Sequence, residues 1–179
     1  MTTAPHRSPA AGLALAVAAL AACGPTAKPE PALTLAELKS ADLQTEYVSG
    51  GVVRLTDGEY REPAAPGAAS TTVVTLTGPV AYAPLVSGQP AAAAIVATAT
   101  GGSGTFVDLV VVARREGQAT QLAGIHLGDR VKVEAIGFDK GIVSLTIVVH
   151  GPDDPLCCPT QRSTRRYELR LDSLVPLPT

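Results

Sequence analysis

Through the body of this chain the apolar residues recur at every second position, in short runs separated by turn residues. Arg130 to Ala135 sets Val131, Val133 and Ala135 against Arg130, Lys132 and Glu134; Ile142 to His150 carries the row Val143, Leu145, Ile147 and Val149. Ser163 to Leu171 sets Tyr167, Leu169 and Leu171 against Arg166, Glu168 and Arg170. A period of two turns one row inward and the other to water, the signature of half-buried strands in an antiparallel sheet rather than of helices. Thr71 to Thr77 is β-branched and is closed by Gly78-Pro79. Ala91 to Thr100 opens on four alanines, which favour helix, but Ile95, Val96, Thr98 and Thr100 tip it to a buried strand. Thr105 to Ala113 is apolar on both faces and reads as a central strand, and Gln118 to Leu127 as a further one.

Two local signals add detail. Thr34 to Leu43 has Leu35, Leu38 and Leu43 at helical spacing, with Thr34 and Glu37 placed for a capping box. Val53 and Leu55 alternate with Arg54 and Thr56, and Asp57-Gly58 suits a type I′ turn, which predicts a hairpin back through Glu59, Tyr60 and Arg61. The expected fold is mainly β: an antiparallel sheet, sandwich or open barrel of about eight to ten short strands with one N-terminal helix. With 4 Tyr, 2 Phe and no Trp, its core must be filled by Val, Leu, Ile and Ala. No Asn occurs, so Gly, Asp and Pro carry the turns. Lys and Arg number 14 against 16 Asp and Glu, which leaves no basic excess to neutralise phosphates and excludes nucleic acid as the expected partner.

The first residues have a different character. His6 and Arg7 precede an uncharged run, Ala10 to Ala22, of Ala, Leu and Val. At about 13 residues it falls short of the roughly 20 a membrane-spanning helix needs, and suits the apolar core of an export signal. The run ends Leu20-Ala21-Ala22-Cys23. Here the sequence resembles bacterial lipoproteins, whose lipobox has this order. The resemblance implies cleavage between Ala22 and Cys23, a diacylglycerol on the Cys23 sulfur and an N-acyl chain on the new terminus. It also implies an extracytoplasmic chain anchored to a membrane by lipid. Gly24 points to the outer membrane, facing the periplasm, if the cell is Gram-negative. In a Gram-positive cell the anchor lies on the outer face of the cytoplasmic membrane. Two or more acyl chains hold a protein stably, where one does not. The expected organisation is thus a lipoprotein signal peptide over 1–22, the lipidated cysteine and a Pro-rich tether over 23–32, and a single β-rich extracytoplasmic domain over 33–179. Loss of Arg7 with the signal would make the mature chain one unit more acidic than the formal −2.

The two remaining cysteines, Cys157 and Cys158, are neighbours. Adjacent Cα atoms lie about 3.8 Å apart, less than the usual disulfide span of about 4.4–6.8 Å, so a bridge between them would be strained and reducible. A structural vicinal disulfide, free thiols, a metal site and an intermolecular bridge are the alternatives. A metal reading would draw in His150, Asp153 and Asp154, but neighbouring cysteines lack zinc-site spacing, and local bonding and turn chemistry account for all three.

From Thr72 onward the chain also resembles a group of short exported bacterial proteins. The shared residues are Leu127-Gly128-Asp129-Arg130-Val131, then His150-Gly151-Pro152-x-Asp154-Pro155-x-Cys157-Cys158-Pro159-Thr160-Gln161 and a strand containing Tyr167. The resemblance implies one fold from Val53 to Leu171 and supplies no activity. Members often carry an acidic, Gly-rich loop suggestive of calcium, where this chain has Pro84 to Pro90 without a carboxylate.

For catalysis the mature chain offers His126 and His150 and none of the common nucleophile, zinc or phosphate-loop motifs. Asp108, within an apolar strand, is the carboxylate expected to be partly buried, with a nearby arginine as its partner. The reading is a non-catalytic binding or structural β module of the cell envelope. It would have no cofactor beyond the lipid on Cys23, and its partners would be the membrane and an envelope protein or polymer. The loop of His150, Asp153, Asp154, Cys157 and Cys158 is the candidate binding loop. The alternatives are an envelope thiol-redox or metal sensor using Cys157 and Cys158, and an envelope hydrolase.

Overall fold

The computed structural model describes residues 1–2 and 30–178. The expected signal segment beyond its first two residues, the expected lipobox of Leu20 to Cys23 and residues 24–29 of the expected tether lie outside the described residues. No described helix is long and apolar enough to cross a membrane.

The chain is mainly β, as its alternation requires. One helical turn, α1 (Leu35–Leu38), precedes β1 (Asp42–Gln44), β2 (Val52–Arg54), β3 (Glu59–Pro63), β4 (Thr71–Pro84), β5 (Pro90–Ala99) and β6 (Phe106–Arg115). Then follow β7 (Gln118–Asp129), β8 (Lys132–Asp139), β9 (Ile142–Val149), β10 (Gln161–Arg170) and β11 (Ser173–Leu177). Seven strands in the order β2-β1-β7-β6-β5-β4-β3 form a nearly closed sheet, and β11-β10-β9-β8 form a second. Pairing is antiparallel except between β1 and β7, where Asp42 and Thr120 meet in parallel.

Central strands apolar on both faces need cover on both, and they have it. On β6, Val107, Leu109, Val111 and Ala113 face outward into a cluster with Val143, Leu145, Ile147, Tyr167 and Leu174, so the four-stranded sheet packs on that side. Val110 and Val112 face the other way, into the hollow of the curled sheet, with Leu38, Leu43, Val53, Leu55 and Val74. Ala91 to Ala94 are at most 2% exposed, and the two layers closing on β5 leave room for little beyond a methyl group there.

Several local expectations are corrected. Helix α1 keeps the Thr34–Glu37 capping box but stops after Leu38. One turn is too short to offset the cost of nucleation alone. Leu43 instead pairs with Val53, and the Arg54 guanidinium donates to Asp42 at 2.7 and 2.8 Å. Asp57 and Gly58, at φ +51° and +91°, make the expected tight turn, but a single Thr56–Glu59 bridge is all that joins its two arms. β2 pairs with β1, and β3 with β4. Gly78-Pro79 does not end β4, which continues through a bulge between Thr77 and Ala81. A second bulge between Val133 and Ala135 reverses the alternation of β8, so Ala135 is exposed and Ile136 and Phe138 pack inward. Leu171 is 95% exposed in a turn at φ +53°, and the chain returns as β11, whose Leu174 is the residue that reaches the core.

Candidate functional site

Strand direction gathers the informative loops at one end. The pairs Phe106–Asp129, Lys132–Val148 and Gln161–Val149 place the start of β6, the end of β7, the start of β8 and the β9–β10 loop side by side. Arg130 ties them together: its guanidinium donates to the Asp129 carboxylate at 2.5 Å, to the Ser103 carbonyl and to the Leu156 carbonyl at 2.9 Å.

The β9–β10 loop holds the predicted cysteines. Cys157 and Cys158 are bonded to each other across a trans peptide, with Cα atoms 3.7 Å apart, and both side chains are exposed. Asp154 organises the loop from within, accepting from the Gly151 N–H at 2.8 Å and from the Thr160 N–H and hydroxyl, each at 2.7 Å. These bonds, the Gly151 amide first, hold its carboxyl below the ordinary carboxylate range. His150 Nε2 donates to the Leu156 carbonyl at 3.1 Å. Asp153 is exposed and makes no side-chain hydrogen bond among the described residues. The candidate loop residues are thus together in space, but Asp154 and His150 are spent on internal bonds and the sulfurs on each other. Among the described residues no group of three or more His, Cys, Asp or Glu is arranged to hold a metal.

Apart from this loop lies a cleft of about 440 Å3, lined by residues that include Glu46, Tyr47, Asp108, Gln121, His126 and Asp172. It is the mouth of the curled sheet. Asp108 lies on β6 in the same row as Val110 and Val112, so it faces the hollow at its open end. Two bulges in β7 aim its partners inward: the register passes from Val107–Gly128 to Asp108–His126, and from Val111–Ala123 to Val112–Gln121. His126 Nδ1 lies 2.9 Å from Asp108 Oδ1, so the expected partner of Asp108 is corrected from an arginine to a histidine. Burial pushes the Asp108 carboxyl above its ordinary value against the opposing effect of His126. Tyr47, on the β1–β2 loop, stacks on Phe106 with ring centroids 4.7 Å apart and planes 8° from parallel. Desolvation first, then the charges of Asp108 and Glu46, push its phenol up to about 12, so it stays a donor at neutral pH.

Gln121 is only 7% exposed, and its Oε1 accepts from the Gln44 N–H at 3.0 Å. Since a backbone N–H can only donate, the other amide atom must be nitrogen, and that Nε2 has no hydrogen-bond partner among the described residues. It sits 2.6 Å from the point where a Cβ on residue 124 would stand, so Gly124 is what leaves it room. Chemically, Asp108 can orient the His126 ring and hold a proton, but no hydroxyl or thiol hydrogen-bonds to His126 among the described residues. The set is built to hold polar groups. Sequence reading singled out Asp108 and His126 separately and missed Tyr47, Gln121, Glu46 and Asp172; Gly124 inside an apolar strand was the available sign of a close approach.

No family model, curated protein or solved structure matches this chain.

Proposed function

We propose that this chain is a lipid-anchored extracytoplasmic binding module, non-catalytic, which holds an envelope ligand in the open mouth of its curled sheet. The observation that carries the reading is the separation of two ends. The cysteine loop is tied by Arg130 to the Phe106 end of β6 and the cleft opens at Asp108 with its floor running to Val110 and Gln121, while Glu30, Pro31 and Ala32, the tether residues nearest the domain, are bound by Arg114 at the other end. From the opening at Asp108, six rises of strand at about 3.3 Å each leave about 20 Å to Arg114. A lipid on Cys23, seven residues ahead of Glu30, would therefore attach from the Arg114 side and leave the opening at Asp108 free for envelope polymers or proteins. In a Gram-negative cell that bilayer is the outer membrane, and in a Gram-positive cell the cytoplasmic membrane. The test is Cys23→Ala: the expected result is loss of the lipid mass and movement of the chain from the membrane to the soluble fraction. A chain that stays membrane-bound after the substitution, with no lipid mass before it, overturns the anchor.

A second reading is favoured by the exposed Cys157–Cys158 bond at the same end, which suits an envelope thiol-redox element. Mass measurement of the native chain with and without reductant decides it: a reversible gain of two hydrogens supports the reading, and an unchanged mass removes it.

A further inference from the structure

We propose that the mouth cleft binds an uncharged, polyhydroxylated ring, a saccharide unit, held between the Glu46, Asp108 and Asp172 carboxylates and the free Gln121 amide. The inference deepens the reading of this mouth as a binding surface and is independent of the lipid on Cys23.

The chemistry of the lining decides the ligand by elimination. Three carboxylates line the cleft, and no lysine or arginine does so among the described residues. A phosphate, sulfate or carboxylate ligand would enter against that charge. A simple cation would satisfy the carboxylates but would offer nothing to Gln121 Nε2–H, which can only donate. That amide is the informative group. It is more than nine-tenths buried, its orientation is fixed by the bond from Gln44, and its remaining donor opens on the cleft. A hydroxyl both donates and accepts, so a ring of hydroxyls can donate to Glu46, Asp108 and Asp172 and accept from Gln121 and the Tyr47 phenol. Such a ring also has C–H faces that need apolar cover, and the Tyr47 ring lines the same cleft to supply it. The volume of about 440 Å3 falls within the range of about 300–1,000 Å3 usual for small-ligand sites, and barrel mouths are a common location for them.

The experiment is calorimetric titration of the full chain with three probes: the tetramer of N-acetylglucosamine, the tetramer of β-1,4-linked glucose, and spermidine. Binding of at least one saccharide is expected, with little dependence on salt. Gln121→Glu keeps the acceptor for Gln44 and turns the donor into an acceptor, and should weaken that binding tenfold or more. Tyr47→Phe, which keeps the ring stacked on Phe106 and removes only the phenol donor, should weaken it severalfold while leaving the thermal unfolding midpoint unchanged, which guards against a Gln121→Glu chain that does not fold. The proposal is overturned if neither saccharide binds, if spermidine alone binds in a salt-sensitive way, or if saccharide binding survives both substitutions. The membrane fractionation of Cys23→Ala reports on the anchor separately, so the two readings fail distinguishably.

Discussion

Neutralising Glu37 should remove a measurable, pH-dependent part of the stability of this fold. Arg114, at the end of β6, has a side chain only 14% exposed, and it grips Glu37 with two parallel bonds, Nε to Oε1 at 2.5 Å and Nη2 to Oε2 at 2.8 Å. The same guanidinium donates to the Pro31 and Ala32 carbonyls at 2.6 and 2.9 Å, so one side chain fixes the entry of the chain into the domain. The Arg114 bonds, then those of Thr34, hold the Glu37 carboxyl at about 2 against an ordinary 4.5. By linkage a carboxyl lowered that far contributes about 3.4 kcal/mol to the folded state at neutral pH. With 32% of the Glu37 side chain exposed, solvent screening brings the expected figure to about 1–2 kcal/mol. Because the folded value is the lower one, the unfolded chain takes up the proton first. The contribution is therefore complete above about 4.5, declines as the pH falls from there to about 2, and is absent below. Glu37→Gln is the suitable change, since glutamine also serves at the third helical position of a capping box. Urea unfolding of the full chain and of Glu37→Gln should show a gap of about 1–2 kcal/mol at pH 7 that closes by about pH 2. A gap of the same size at both ends of that range, or none at neutral pH, would refute the assignment of this stability to the Arg114 pair.

Lowering the pH through and below the ordinary aspartate value should loosen the cysteine loop, because the depressed Asp154 carboxyl orders it only while ionised; the Gly151 and Thr160 amide signals in NMR should shift together, and amides that stay fixed down to about pH 2 would remove Asp154 from that role. Ala94→Leu should cost about 1–3 kcal/mol in urea unfolding by overpacking the hollow of the curled sheet, and an unchanged midpoint would mean that the sheet closes less tightly than the buried alanines imply.

The β class was legible because one-sided burial writes itself into a period of two, and Val143, Leu145 and Ile147 stand buried where that period puts them. The departures share a cause. Asp57-Gly58 encodes a turn, a property of two residues, whereas the partner of each arm is set by what else the strand meets, and β4 competes successfully for β3. A bulge adds one residue without changing composition, so Ala135 keeps its place in the alternation and loses its place in the core. Leu43 fits a helical stripe and a strand equally well, and only its pairing with Val53 decides. The cleft is a stronger case of the same limit. Gln121 reaches back 77 residues to Gln44, and Asp108 meets His126 only because the β7 bulges set that register. The cysteine loop was conspicuous in the sequence because its chemistry is local, with Asp154 reaching only to Gly151 and Thr160. The mouth was inconspicuous because each of its polar residues sits alone in an otherwise ordinary segment, and closure of the sheet gives them a common target. Residues so assembled should tolerate changes in their own loops better than changes in strand register. An insertion or deletion in β7 between Gln121 and His126 would turn one of those two side chains out of the hollow, even if the β fold survived it.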